Sequence, residues 1–225
     1  MKSLISASVL ALALTGAGAA QADYVYTMNF DSLKAGDNAN LDPTAIANGV
    51  HFASGQLAAD LDQDGLPIYD PFGNFVAGAT HYEAIPGLAL TVDSPSAYGH
   101  GQTSSNPLAL NALYDQVLIN FAAPVKMTGF SFTLDNSSYG DLFPTAVEFL
   151  DAKGKTLFLS QSFTGAGTTT FSAQFAPTEI AAVLLPSTTK FYDDITVSAV
   201  PEPTSLSMLL GGLALLGVAA RRRSN

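Results

Sequence analysis

Along the middle of the chain, apolar and polar residues alternate in short runs separated by turn-forming residues. Residues 24–30 (YVYTMNF) are aromatic and β-branched and alternate, which predicts a strand. Short strands are expected at 49–52, 56–59 and 88–92. The second half is more regular, with strands predicted at 115–121, 125–135, 146–151, 156–163, 168–175, 180–185 and 191–197. Phe130, Phe132 and Leu134 alternate toward one face. Ala152-Lys153-Gly154-Lys155 reads as a hairpin turn, with glycine where φ is positive. Between the strands, 31–43, 60–80 and 93–106 are dense in Asp, Asn, Gly, Ser and Pro and read as loops.

No long amphipathic helix separates these strands. That spacing favours an all-β, antiparallel β-sandwich over a βαβ fold. No repeat of fixed period is visible.

Both ends of the 225-residue chain have a different character. Lys2 supplies a positive start, residues 4–14 are apolar, and Ala20-Gln21-Ala22 is an A-x-A cleavage site. Residues 1–22 are therefore expected to be a signal peptide handled by the Sec translocon and signal peptidase. The far end reads VPEPTSLSMLLGGLALLGVAARRRSN. Pro201 and Pro203 keep the backbone out of a helix around Glu202. Residues 204–220 are predicted to form a hydrophobic transmembrane helix, and Arg221, Arg222 and Arg223 hold its end on the cytoplasmic side of the inner membrane. The uncharged run 206–220 would reach roughly 22 Å at about 1.5 Å per residue. That is short of a hydrocarbon core of about 30 Å. Such a segment suits a transient anchor better than a permanent one. The expected organisation is a signal peptide (1–22), one domain (23–199) and a C-terminal signal (200–225).

The Pro-Glu-Pro motif, apolar helix and arginine cluster together resemble the PEP-CTERM sorting signal of Gram-negative bacteria that make exopolysaccharide. The resemblance implies recognition by an exosortase, a membrane cysteine protease, with cutting near Pro201-Glu202-Pro203. It also implies release to the cell surface or extracellular matrix. It says nothing about what residues 23–199 do.

Charge narrows the classes of partner. Once Lys2 and the three arginines are removed, five lysines remain against nineteen carboxylates, a formal net of −14. Such a surface repels nucleic-acid phosphates and anionic lipid, and nucleic-acid binding is not expected. There is no cysteine, although an exported chain could use disulfides. Packing, and bound calcium, are the remaining means of stabilisation.

Two places carry metal-ligating patterns. Asp60-Leu61-Asp62-Gln63-Asp64-Gly65, with Asp70 following, sets carboxylates at alternate positions and glycine at the sixth. An all-oxygen set of this kind suits calcium better than zinc. It is similar to the DxDxDG calcium loops of exported proteins, though Pro71 stands where an EF-hand has glutamate. The alternative is a solvated acidic turn. Separately, VKMTGFSFTL, VEFLDAKGKTLFLSQSF and FYDDITVS, with the openings NFDSL and NGVHF, resemble the jelly-roll domains of exported bacterial proteins, including carbohydrate-binding modules. That resemblance implies a structural calcium held by Asp31 with Asp193 or Asp194.

Enzymatic patterns are weak. His51, His81 and His100 are far apart and form no H-E-x-x-H, and no G-x-S-x-G accompanies Ser104 and Ser105. Glu83, Glu148 and Glu179 could supply two carboxylates for glycoside hydrolysis, but nothing in the sequence pairs them; Glu148 reads as an outward-facing strand residue. Tyr69, Phe72 and Phe75 cluster by the acidic loop, yet the chain has no tryptophan, the residue that sugar-stacking platforms favour. The expectation is an exported, non-enzymatic surface or biofilm-matrix protein, calcium-stabilised and in contact with exopolysaccharide. The alternative is a secreted glycan hydrolase or lyase, which two carboxylates in one cleft would favour.

Overall fold

Two long bent strands carry the architecture. The structure, a computed structural model, describes residues 24–74, 76, 78–94, 109–112, 116–136, 146–160, 167–186 and 190–200. Ten strands follow in order: β1 (Tyr24–Met28), β2 (Val50–Ala59), β3 (Thr80–Ala84), β4 (Val92–Asp93), β5 (Ala109–Ala112), β6 (Gln116–Asn136), β7 (Glu148–Leu150), β8 (Thr156–Leu159), β9 (Gly167–Leu185) and β10 (Lys190–Ala199). The strand order is β4-β5-β10-β6-β9-β7-β8, with β1 beside β10, β2 beside β6, and β3 beside β2. The expected all-β, antiparallel arrangement is the one observed. The signal peptide and C-terminal helix fall outside the described residues.

Each long strand was expected as two strands. Instead β6 runs unbroken through 116–136 and β9 through 167–185, paired to each other along most of their length. The prolines do not end them because of where they sit. The ladder skips from Asn120 to Val125 and shifts again between Met127 and Gly129. Pro124 and Pro177 lie in these irregular stretches, both exposed, where a missing N–H leaves no partner wanting. Across these irregularities each strand changes neighbours. The first part of β6 pairs with β2, and its second part pairs with β10. The late part of β9 pairs with β7.

The faces that these halves turn inward form the main core. Phe130, Phe132 and Leu134 are all buried, as their alternation predicts. Phe132 stacks on Phe171 at 4.8 Å between ring centroids and meets the Tyr192 ring edge-on at 5.1 Å. Phe130 meets Phe149 edge-on at 5.9 Å, joining a residue next to β10 with one on β7. Each such side chain contributes about 1.5–3 kcal/mol by leaving water. The buried Tyr192 hydroxyl donates to the Pro186 carbonyl at 2.6 Å, so its polar end is satisfied.

Several short elements differ from expectation. The two strands expected at 49–52 and 56–59 are one, β2, because Ser54 and Gly55 continue the ladder to Val117 and Gln116. Of the strand expected at 88–92, only Val92 belongs to β4. β3 and β5 lie where no strand was expected. A one-turn helix, α1 (Pro43–Ala47), lies just past the polar stretch, N-capped by Asp42, whose Oδ1 accepts from the Ala45 amide at 2.9 Å.

Candidate functional site

One sequence pattern builds three turns. Asp62-Gln63-Asp64-Gly65-Leu66, Asp70-Pro71-Phe72-Gly73-Asn74 and Asp151-Ala152-Lys153-Gly154-Lys155 share an aspartate, then glycine at the fourth position. In each, the aspartate Oδ1 accepts from the amides two and four residues on. The distances are 2.9 and 2.9 Å for Asp62, 2.8 and 2.9 Å for Asp70, and 2.8 and 2.9 Å for Asp151. The glycines have φ of 78°, 83° and 72°, a region that glycine enters freely. The carboxylate thus ties off backbone donors that a tight turn would leave open. At Asp70, these bonds from Asn74 and its neighbours hold the carboxyl below the usual range.

The third turn has a further role. The Tyr82 amide, on β3, donates to the Gly154 carbonyl at 2.8 Å. A β-carbon at Gly154 would run into the Tyr82 carbonyl and come within 3.1 Å of its nitrogen. Only glycine lets β3 lie this close to the β7–β8 turn. Side chains complete the junction. The Tyr82 hydroxyl donates to Glu148 Oε1 at 3.0 Å, and Thr156 Oγ1 donates to Glu148 Oε2 at 2.7 Å. Burial, then the Glu148 charge, pushes the Tyr82 phenol up to about 12. Glu148 is therefore tied to two partners and is not the unpaired outward residue expected from its strand.

A second set of polar groups lies alongside. Lys155 Nζ donates to the Asp60 carboxylate and to the Gly78 carbonyl, the latter at 2.8 Å. His81 Nδ1 lies 2.9 Å from Asp60 Oδ1, and its Nε2 lies 3.8 Å from Glu83 Oε2. Gln56 Nε2 donates to Glu83 Oε1 at 2.8 Å. Lys155, then His81, holds the Asp60 carboxyl below its ordinary value. Between β3, this turn and the faces of β6 and β9 lies a cleft of about 530 Å³. His81, Tyr82 and Glu83 form one wall; Asp151 and Lys153 form another; Leu118, Asn120 and Ala182 line it as well. Aliphatic and polar residues both line it.

The sequence-predicted metal ligands are placed as follows. Asp60 faces Lys155 and His81, Asp62 and Asp70 each serve their own turns, and Asp64 is exposed beside Asp62. Among the described residues, no three carboxylate or imidazole groups converge in a metal-holding cluster. At the other expected site, Asp31 and Asp194 do approach. Burial, then the Asp31 charge, raises the Asp194 carboxyl above its ordinary value. Asp193 is buried, with Oδ1 accepting from the Asp194 amide at 2.8 Å, and Asn29 Nδ2 donates to Asp31 Oδ2 at 2.7 Å. Phe30 and Asp194 both have positive φ, 56° and 49°, unusual for residues other than glycine.

His51 is exposed on β2, and Glu179 is exposed on β9. Tyr69 and Phe72 are exposed on the second acidic turn, Phe72 at 89 %. His100, Ser104, Ser105, Phe75, Ala20, Ala22, Pro201, Glu202, Pro203, Arg221, Arg222 and Arg223 lie outside the described residues. Sequence reasoning missed the cleft, because its walls come from positions up to a hundred residues apart. The repeated Asp-x-x-Gly turn was the one readable signal, and it was read as metal chemistry at its first copy.

Comparison with known proteins bears on the end of the chain. Residues 199–223 match the PEP-CTERM protein-sorting motif. The motif implies an exported, exosortase-processed extracellular protein. No curated protein matches the chain. Among solved structures, it is similar to the K2 cleaved adhesin domain of Lys-gingipain, at 9% identity and a TM-score of 0.36, over 77% of this chain and 99% of that one. It is also similar to the enzymatically active domain of tailspike protein 4 of bacteriophage CBA120, at 9% identity and a TM-score of 0.21, over 67% of this chain and 18% of that one. Likeness at this level transfers neither activity nor ligand. No helix of the described residues is long and apolar enough to cross a membrane.

Proposed function

We propose that this is a non-enzymatic component of the cell surface or biofilm matrix that holds exopolysaccharide in the cleft beside β3. The observation that carries the reading is the sorting motif at 199–223, attached to an acidic all-β domain with a polar-rimmed cleft. Tyr82 offers a ring wall, and Asn120 offers a donor to sugar hydroxyls. The test is retention of the purified domain on native exopolysaccharide. Asn120→Ala should lower retention several-fold and leave the melting temperature nearly unchanged. Equal retention of the variant would remove the cleft from the function.

One observation favours the alternative of a glycan hydrolase or lyase. Two carboxylates, Glu83 and Asp151, line the same cleft. Their bonding supports binding over chemistry, since Gln56 holds Glu83 and two backbone amides hold Asp151. New reducing ends or unsaturated sugars from the matrix polymer, lost in Glu83→Gln, would establish the enzyme reading instead.

Calcium belongs to the same proposal, held between Asp31 and Asp194. Burial first, and then the Asp31 charge, raises the Asp194 carboxyl, and a divalent cation would relieve the second of these. Millimolar calcium, the range of extracellular modules, should then raise the melting temperature of the wild type and not of Asp194→Asn. A rise retained by Asp194→Asn but lost in Asp64→Asn would place the ion in the acidic loop.

A further inference from the structure

Resting on the reading of the cleft as a glycan site, we infer that its ligand is an amino sugar polymer with free, unacetylated amino groups. The charges that face the cleft decide this. Glu83 and Asp151 bring two carboxylates to its lining, against one ammonium, Lys153. Lys153 is exposed and can turn into solvent. The other nearby cation, Lys155, is committed to Asp60 and to the Gly78 carbonyl. Asp60 also engages His81, so the imidazole has a carboxylate on either side and adds no demand for an anionic ligand.

The two carboxylates keep acceptor capacity. A carboxylate offers about four lone-pair sites. At Glu83, Gln56 takes one on Oε1, and His81 Nε2 approaches Oε2 only to 3.8 Å, a loose ion-pair contact that leaves lone pairs on both oxygens. At Asp151 both amide bonds fall on Oδ1. A protonated amine brings three donors and a positive charge, which matches what is left over. The rest of the domain acts in the same direction. With a formal net of −14 before the arginine tail, its field draws cationic polymers in and repels uronic acids.

The experiment compares three oligosaccharides on the exported domain: a chitosan oligomer, its fully N-acetylated counterpart and an oligogalacturonate. The chitosan oligomer should bind about tenfold more tightly than the acetylated one, as one charge-assisted pair implies. The oligogalacturonate should bind most weakly. Glu83→Gln should erase the preference for the free amine while still binding the acetylated oligomer, and added salt should shrink it in the wild type. Equal binding of the first two would overturn the amino-sugar inference and leave a neutral-glycan cleft standing. Preference for oligogalacturonate would overturn it as well. Failure of all three to bind would overturn both it and the glycan reading. A preference that persists in Glu83→Gln and also in Asp151→Asn would overturn it too, because the amine would then be read elsewhere.

Discussion

Single residues show where the fold carries cost. Ser54 is fully buried on β2, and its hydroxyl has no hydrogen-bond partner among the described contacts. Replacing an unsatisfied buried hydroxyl by a methyl removes a desolvation penalty. Ser54→Ala should therefore stabilise the domain by about 1 kcal/mol, seen as a rise in denaturation midpoint at unchanged m-value. Asp194 is the charged counterpart. Its folded carboxyl lies above the ordinary aspartate value of 3.8, so ionisation weakens the folded state. The favourable contribution of the protonated form is complete below that value and disappears as pH rises through the folded one. Asp194→Asn should raise the melting temperature at neutral pH by roughly 1–2 °C without calcium. The gain should vanish below pH 3.8. Asparagine also tolerates positive φ, so the backbone does not confound the comparison. A gain that stays constant with pH would show that charge is not its source. Ser54 could not be singled out in the sequence, since nothing local reveals that a serine lacks a partner. Asp194 could, through the FYDDITVS strand, but its approach to Asp31 is a tertiary fact.

At the scale of elements, legibility followed apolar periodicity. The strands with strong alternation, above all around Phe130–Leu134 and Phe191–Val197, lie where the pattern put them. What failed was continuity: Pro124 and Pro177 look like strand ends in one dimension, yet at exposed bulges they only bend the chain. β3 failed differently. Thr80-His81-Tyr82-Glu83-Ala84 has no buried residue, and its stability comes from β2 on one edge and the Gly154 turn on the other. That dependence gives a test. Gly154→Ala should cost about 2 kcal/mol or more, because φ of 72° and the approach of Tyr82 both oppose a β-carbon. Beyond the lost stability, β3 should lift from the turn. The Tyr82 phenol would then fall from about 12 toward the ordinary tyrosine value of 10.0, followed by NMR titration of labelled tyrosine. A phenol that stays up would mean that β3 is held by other contacts.

For the whole molecule, the export motif and the folded domain meet within a few residues. Ala199 is still paired with Met127, and the sorting motif begins at that same residue. Intact-mass measurement of the protein from an exosortase-bearing host should show a product lacking the apolar run 206–220. A host without the protease should retain it. A secreted product ending at Asn225 in the first host would remove the sorting step from this protein. The acidic balance belongs to the same scale: it sets the long-range field that the cleft operates within, and no single carboxylate accounts for it.

The sequence by itself determined the address and the layer type. Both are written in contiguous residues: a Pro-Glu-Pro tail, and alternation that makes strands amphipathic along their own length. Tertiary structure alone decided the cleft. His81, Tyr82, Asn120 and Asp151 become neighbours only when β6 and β9 bend and the Gly154 turn admits β3. A local pattern can state which face of a strand seeks the core. It cannot state which distant polar groups the resulting sheets will set opposite one another, because that depends on ladder register and backbone approach across the whole chain.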